Sequence, residues 1–372
     1  MTNRPIRALT FMIVATGTVL GSPLNSYDPT NLVSDLSGVA KHQDPNLVNP
    51  WGLVAGATTP FWVADNGTGL STLYDGKGAI LPLVVTIPPA PANAPPSNPT
   101  GIVHNGSANF GGAPFLFATE SGTIASWAGG ANAIISALGD PGSIYKGLAI
   151  NEGGGLLYAA NFGLGRIDVY NSNFDLVSSP GGFTDPSLPA GYAPFNIQNI
   201  DGMLYVTYAA TSGGTDETDG PGLGFVDVFN LDGVFQNRVA SQGALNAPWG
   251  LALAPANFGA FSNDLLVGNF GDGTINAYDL TTDTFVGTLD DRSGNPISIL
   301  GLWGLSFGNG AHNQPTNTLY FNAGIPGPDD VEDHGLFGRI DAVPEPGQLA
   351  LTAFALATVL MSGARRLRRR NG

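Results

Sequence analysis

The residues best suited to chemistry lie in two acidic loops. GGTDETDGPG (213–222) presents Asp216, Glu217 and Asp219, and GPDDVEDHG (327–335) presents Asp329, Asp330, Glu332, Asp333 and His334. Carboxylates are the hard oxygen ligands that Ca2+ or another divalent cation takes. Asp216, Asp219, Asp329, Asp330, Glu332 and His334 are therefore the candidate metal ligands, although neither loop has EF-hand spacing. A bound ion would lower the pKa of its water and polarise a carbonyl oxygen. His334 follows four acids, a setting that suits a general base or a metal ligand. Without a cation, the same loops are solvated acidic turns.

Other chemistries find less support. The chain has no cysteine, which removes disulfides, thiolate zinc sites and thiol nucleophiles. NFGLG (161–165) and NFGDG (269–273) are glycine-rich but lack the lysine and following helix of a phosphate loop, so they read as turns. No G-x-S-x-G elbow occurs. His104 stands where other repeats carry Ile150 or Leu253 and reads as a core residue, while His42 and His312 fall in connecting segments. Between residues 22 and 343, seven basic residues face 28 acids. Phosphate binding needs a positive footprint, so nucleic acid is excluded as a partner.

The elements that must position these residues form a repeat. NPWGLVAG (49–56), NPTGIVHN (98–105), YKGLAINE (145–152), APFNIQNI (193–200), APWGLALA (247–254) and LWGLSFGN (302–309) align as six copies, each 47 to 55 residues from the next. Each is followed by a second apolar run, such as FWVADN (61–66) or DLLVGN (264–269), then by a third run after a glycine-containing turn. Five copies carry a fourth, weaker run. With 53 glycines and 28 prolines among 372 residues, the chain is rich in tight turns and poor in long helices. Four short strands per repeat of about 50 residues predict a six-bladed β-propeller spanning 28–341, which hides its sheet edges by radial stacking. The sixth copy lacks a fourth run. TNLVSDL (30–36) is expected to supply it and to close the ring.

Gly52, Gly101, Gly147, Gly250 and Gly304 share one repeat position, where inner strands crowd together and a side chain would strike the next blade. Trp51, Trp249 and Trp303 precede three of them, as interblade packing or as a stacking platform for sugars. The loop before the first strand and the loop after the second open onto one face. That face would carry the candidate ligand-binding residues Asn49, Asp65, Asn66, Glu120, Asn161, Asn269 and Asn322, with Asn98 beside them.

The two ends carry addresses. Residues 1–21, with two arginines before an apolar run, have the layout of a signal peptide. Leu349 to Ala364 are apolar and as a helix would span about 24 Å, a short transmembrane anchor. Five arginines after it would stay on the cytoplasmic side. Val343, Pro344, Glu345 and Pro346, the apolar segment and the arginine block together resemble the PEP-CTERM sorting signal (343–372) of exported bacterial proteins. The resemblance implies recognition by an exosortase-type membrane protease, transient anchoring, and delivery to the cell surface or beyond.

The body, from about Asn31 to Asp341, resembles the NHL and gluconolactonase-like propellers and an uncharacterised exported family with such tails. Gluconolactonase-like enzymes bind a divalent ion in the channel through acids and an Asn. This sequence departs from them at Leu47-Val48-Asn49-Pro50, which has no carboxylate, and at Thr100 and Trp249. The expected function is thus a monomeric, non-catalytic binding module for extracellular polysaccharide or protein. The alternative is a divalent-metal-dependent hydrolase or lyase with its site at the channel mouth.

Overall fold

The computed structural model describes residues 24–91, 93–328 and 332–344. The expected signal segment and the tail from Glu345 onward lie outside them. Among the described residues no helix is long and apolar enough to cross a membrane.

Six antiparallel sheets follow one another around a ring. Blade one comprises Pro50–Val54, Phe61–Asp65, Leu70–Tyr74 and Val85–Thr86; blade two, Pro99–His104, Phe115–Thr119, Thr123–Trp127 and Ile134–Leu138. Blade three comprises Tyr145–Ile150, Leu156–Asn161, Arg166–Asn171 and Leu176–Val177; blade four, Tyr192–Ile200, Met203–Ala210, Phe225–Phe229 and Phe235–Ser241. Blade five is Pro248–Leu253, Leu265–Asn269, Ile275–Asp279 and Thr284–Thr288. Blade six has Leu302–Phe307, Thr318–Ile325 and His334–Ala342, with Tyr27–Ser34 as its fourth strand. The six-bladed, all-β expectation is met.

The ring closes as the sequence suggests. Tyr27–Ser34 runs antiparallel to His334–Ala342, from Tyr27 opposite Ala342 to Ser34 opposite Leu336, with a bulge between Asn31 and Val33. The strand starts before the apolar run, at the buried Tyr27, and its next four residues alternate between half-buried and exposed. A short extra strand, His42–Gln43, then pairs in parallel with it. Two fourth strands, in blades one and three, are only two residues long. After Thr86 the chain enters IPPAPANAPPSNP, whose prolines cannot donate to a ladder.

Each blade is buried on both faces, which explains strands such as Phe61–Asp65 and Phe115–Thr119 that are buried at every position. Separate apolar clusters fill the interfaces between successive blades, for example Trp62, Leu73 and Phe117 between blades one and two. A further cluster, built on Trp51, Phe195, Trp249 and Trp303, occupies the axis.

The shared glycine position has the expected cause. A Cβ on Gly52 would lie 2.5 Å from the Thr100 carbonyl oxygen, on Gly101 2.4 Å from the Leu148 nitrogen, and on Gly304 2.6 Å from the Trp51 carbonyl oxygen. In every case the obstacle is the backbone of the next blade, which cannot move aside. Blade four replaces the glycine with Asn196, whose side-chain nitrogen donates to the Trp249 carbonyl at 2.8 Å.

Candidate functional site

At the face where sequence placed the ligand-binding residues, the channel is closed by protein. The side chains preceding the shared glycine position are Trp51, Thr100, Lys146, Phe195, Trp249 and Trp303. Trp51 and Trp303 stack at 3.6 Å, with Trp249 edge-on to both. The packing reading of these tryptophans is the one the structure realises.

Most of the amides on this face are spent on the fold. Asn49 has a left-handed φ of 44°, a conformation asparagine tolerates, and its Oδ1 accepts from both Trp51 and Trp303 indoles at 3.0 Å. Asn98 repeats that backbone conformation with φ 53°. Asn161 donates to Ser143 and Asp168 and accepts from the Ile144 and Leu164 amides. Asn269 donates to the Ala244 carbonyl, and Asn322 to that of Gly52. Asp65 is fully buried. Burial pushes its carboxyl well above the usual carboxylate range; Thr72 opposes the shift and Asp44 adds to it.

Asn66 and Glu120 do come together, and the residue that organises them is Lys146. Its ammonium lies 3.0 Å from Glu120, 3.3 Å from Asp216 and 3.4 Å from Glu217, with its side chain 1% exposed. It also sits over the Trp51 ring at 5.0 Å and the Phe162 ring at 5.5 Å. Burial by itself would lower the Lys146 pKa, but Glu120, Glu217 and Asp216 raise it overall. Glu120 Oε2 accepts from Asn66 at 3.0 Å, which accepts in turn from Asn98. Lys146 was missed in the sequence. The available signal was a lone cation at a repeat position that is otherwise aromatic or Thr.

The acidic loop of blade four is thereby a strap over the closed mouth. Asp216 and Glu217 meet the lysine, Gly220 donates to Asn246, and Asp219 packs against Gly271. In the second loop, His334 Nδ1 lies 2.7 Å from Asp35 Oδ2, tying blade six to the closing strand, and Glu332 runs beside Gly324. Asp329 and Asp330 lie outside the described residues, as do Glu345 and Pro346 of the sorting motif. Val343 donates to the Ser26 carbonyl, with Pro344 next to it. Among the described residues no group of three or more His, Asp or Glu side chains is placed to hold a metal.

The open cavity is on the opposite face. All six inner strands contribute to a blind axial well of about 320 Å³, floored by Trp249 and the glycine belt and walled by Leu53, Val103, Ile150, Ile197, Leu251 and Leu305. Its rim carries His104, Gln198, Asn199 and Ser306. A second hollow of about 360 Å³ adjoins it through His104 and Asn199 and reaches Ser107, Asn151, Glu152 and Asp201. Asn199 is committed to the Ile150 carbonyl and the Gly202 amide. His104 and Gln198 carry polar side-chain atoms that make no hydrogen bond to the described protein.

His104 is thus only half-buried, where the sequence suggested a core residue. Its ring packs edge-on to Phe115 at 5.3 Å and covers Gly56, where a Cβ would fall 2.6 Å from it. Burial lowers its pKa and so favours the neutral imidazole. It is the one titratable side chain in the axial well's lining.

Comparison with known proteins gives relatives and no activity. The uncharacterized protein R648 of Acanthamoeba polyphaga mimivirus is 36% identical over 329 residues, covering 83% of this chain and 78% of that protein. The uncharacterized protein L690 of the same virus is 36% identical over 333 residues, covering 83% and 84%. A solved streptogramin B lyase superposes with a TM-score of 0.49 at 12% identity, over 85% of this chain and 97% of that one. No family model matches the chain. The chain belongs to the same family as R648 and L690.

Proposed function

We propose that this propeller is an exported, non-catalytic binding module that takes a small, neutral, hydroxyl-rich ligand, such as one unit of a glycan, in its axial well. The observation that carries this reading is the lining. Aliphatic side chains and exposed backbone groups of the inner strands surround a few convergent neutral polar side chains, and a volume of about 320 Å³ is at the small end of ligand sites. His104 and Gln198 have donors and acceptors to offer, and neither is paired with a nucleophile or an acid within the well. Acidic polymers are disfavoured by Glu152 and Asp201 at the adjoining hollow. The VPEP motif, apolar segment and arginine cluster support export and sorting by an exosortase-type protease, with a monomeric body delivered to the cell surface or matrix.

The test is binding of neutral oligosaccharides to residues 24–344 by glycan array and calorimetry, with His104→Ala and Gln198→Ala as probes. Each substitution should weaken binding by about tenfold, the loss of a hydrogen bond of roughly 1–1.5 kcal/mol. Binding untouched by both would remove the well from the reading. Turnover of an ester or lactone that ceases on chelation would replace it with a divalent-metal-dependent hydrolase or lyase.

A further inference from the structure

Among the described residues five aspartates are almost wholly buried: Asp44, Asp65, Asp168, Asp185 and Asp227. Three of them face an arginine. Asp168 meets Arg166 Nε at 2.6 Å, Asp227 meets Arg238 Nε at 2.7 Å, and Asp185 contacts the same Arg238. Asp44 and Asp65 have no such partner, although both are packed at the seam between blades six and one, 4% and 0% exposed. An unpaired carboxylate in that position is strongly destabilising.

Their surroundings are built of oxygen. Asp65 ends the second strand of blade one, on the same sheet face as Val63, Thr72 and Tyr74. Asp44 is fixed from the other side, accepting from the Tyr74 hydroxyl at 2.9 Å and the Asn46 amide at 3.0 Å. Neither carboxylate oxygen of Asp65 nor the Thr72 hydroxyl completes a well-formed hydrogen bond, although the hydroxyl and amide of Thr72 lie close to Asp65. Buried polar atoms are almost always satisfied, so three neighbouring orphans call for an occupant.

We infer that this seam holds a hard divalent cation, Ca2+, on the carboxylates of Asp65 and Asp44 and the hydroxyl of Thr72. Two carboxylates neutralise its charge, and a site formed wholly of oxygen is what Ca2+ selects. The ion would replace the arginine found beside the other buried acids. It would join the closing blade to its neighbour, away from the acidic loops and from the ligand well. The inference is independent of the binding function.

The experiment is metal analysis and Ca2+ titration of chelator-treated residues 24–344, with Tm recorded at each step. The expected result is one Ca2+ per chain and a Tm rise of about 4 °C at a hundredfold excess over Kd. Asp65→Asn should abolish both, while the doubly substituted Asp216→Asn/Asp219→Asn strap should keep both. If Asp65→Asn does not fold, Thr72→Val takes its place and should weaken Ca2+ binding at least tenfold. No uptake and an unchanged Tm would overturn the inference, leaving Asp65 as a neutral carboxylic acid. Uptake lost in the strap variant but kept in Asp65→Asn would overturn it as well, moving the ion to the loop.

Discussion

The indoles of Trp51 and Trp303 stack at 3.6 Å and both donate to one oxygen, Oδ1 of Asn49, at 3.0 Å. That single amide satisfies two of the three tryptophans of the axial plug, one from the first blade and one from the last. Asn49→Ala should therefore destabilise by about 3 kcal/mol, since it leaves two buried N–H groups unpaired and puts alanine in a left-handed conformation. Asn49→Gly keeps the backbone unstrained and isolates the hydrogen-bond loss. Urea denaturation of the two variants would separate these contributions.

Lys146 and Glu217 form a buried ion pair, with side chains 1% and 7% exposed. Lys146→Met should cost about 3–5 kcal/mol because it strands Glu217, whose carboxyl is already raised by burial and held down chiefly by the lysine. Adding Glu217→Gln should restore much of that loss. A double-mutant cycle read by chemical denaturation, with proteolysis of the 211–222 strap as a second readout, checks both statements.

Ligand binding should respond to acid through His104. Its pKa is lowered from the ordinary 6.5 by burial, so the folded chain binds fewer protons than the unfolded one as pH falls through that value. The stability contribution is complete above pH 6.5 and is lost below it. Affinity for a neutral ligand should stay flat above pH 6.5 and fall only below the lowered pKa. His104→Gln should flatten the profile, as measured by calorimetry between pH 4.5 and pH 8.

Gly101→Ala should be poorly tolerated, costing about 3 kcal/mol or more, because the new Cβ falls 2.4 Å from the Leu148 backbone nitrogen. Gly155→Ala is the control. Its nearest neighbour would be 3.8 Å away, so stability should change by less than about 0.5 kcal/mol. Thermal unfolding of both variants makes the comparison.

The fold was legible because a propeller repeats its constraints. The glycine at the blade contact, replaced in blade four by Asn196, the apolar second strand and the turn glycine recur from blade to blade, and the missing sixth fourth strand pointed to the N-terminal segment. The site was less legible. Asparagines at repeat positions resemble a ligand-binding ring, yet Asn49 bonds two indoles while Asn161 and Asn269 bond backbone amides and carbonyls, partners that no sequence displays. His104 looked like a core substitution because its neighbours in the repeat are Ile150 and Leu253. The inner strand opens there into a well instead.

The sequence by itself determined six blades, the direction of ring closure and the acidity of the body, because strand period and turn chemistry are local and are stated six times over. Only the tertiary structure decided which end of the channel is open. That outcome depends on how six side chains from distant strands, Trp51, Thr100, Lys146, Phe195, Trp249 and Trp303, fill one cross-section, and on a strap whose carboxylates reach the sole cation among them. Volume and charge at an axis are sums over the whole ring, and no single repeat contains them.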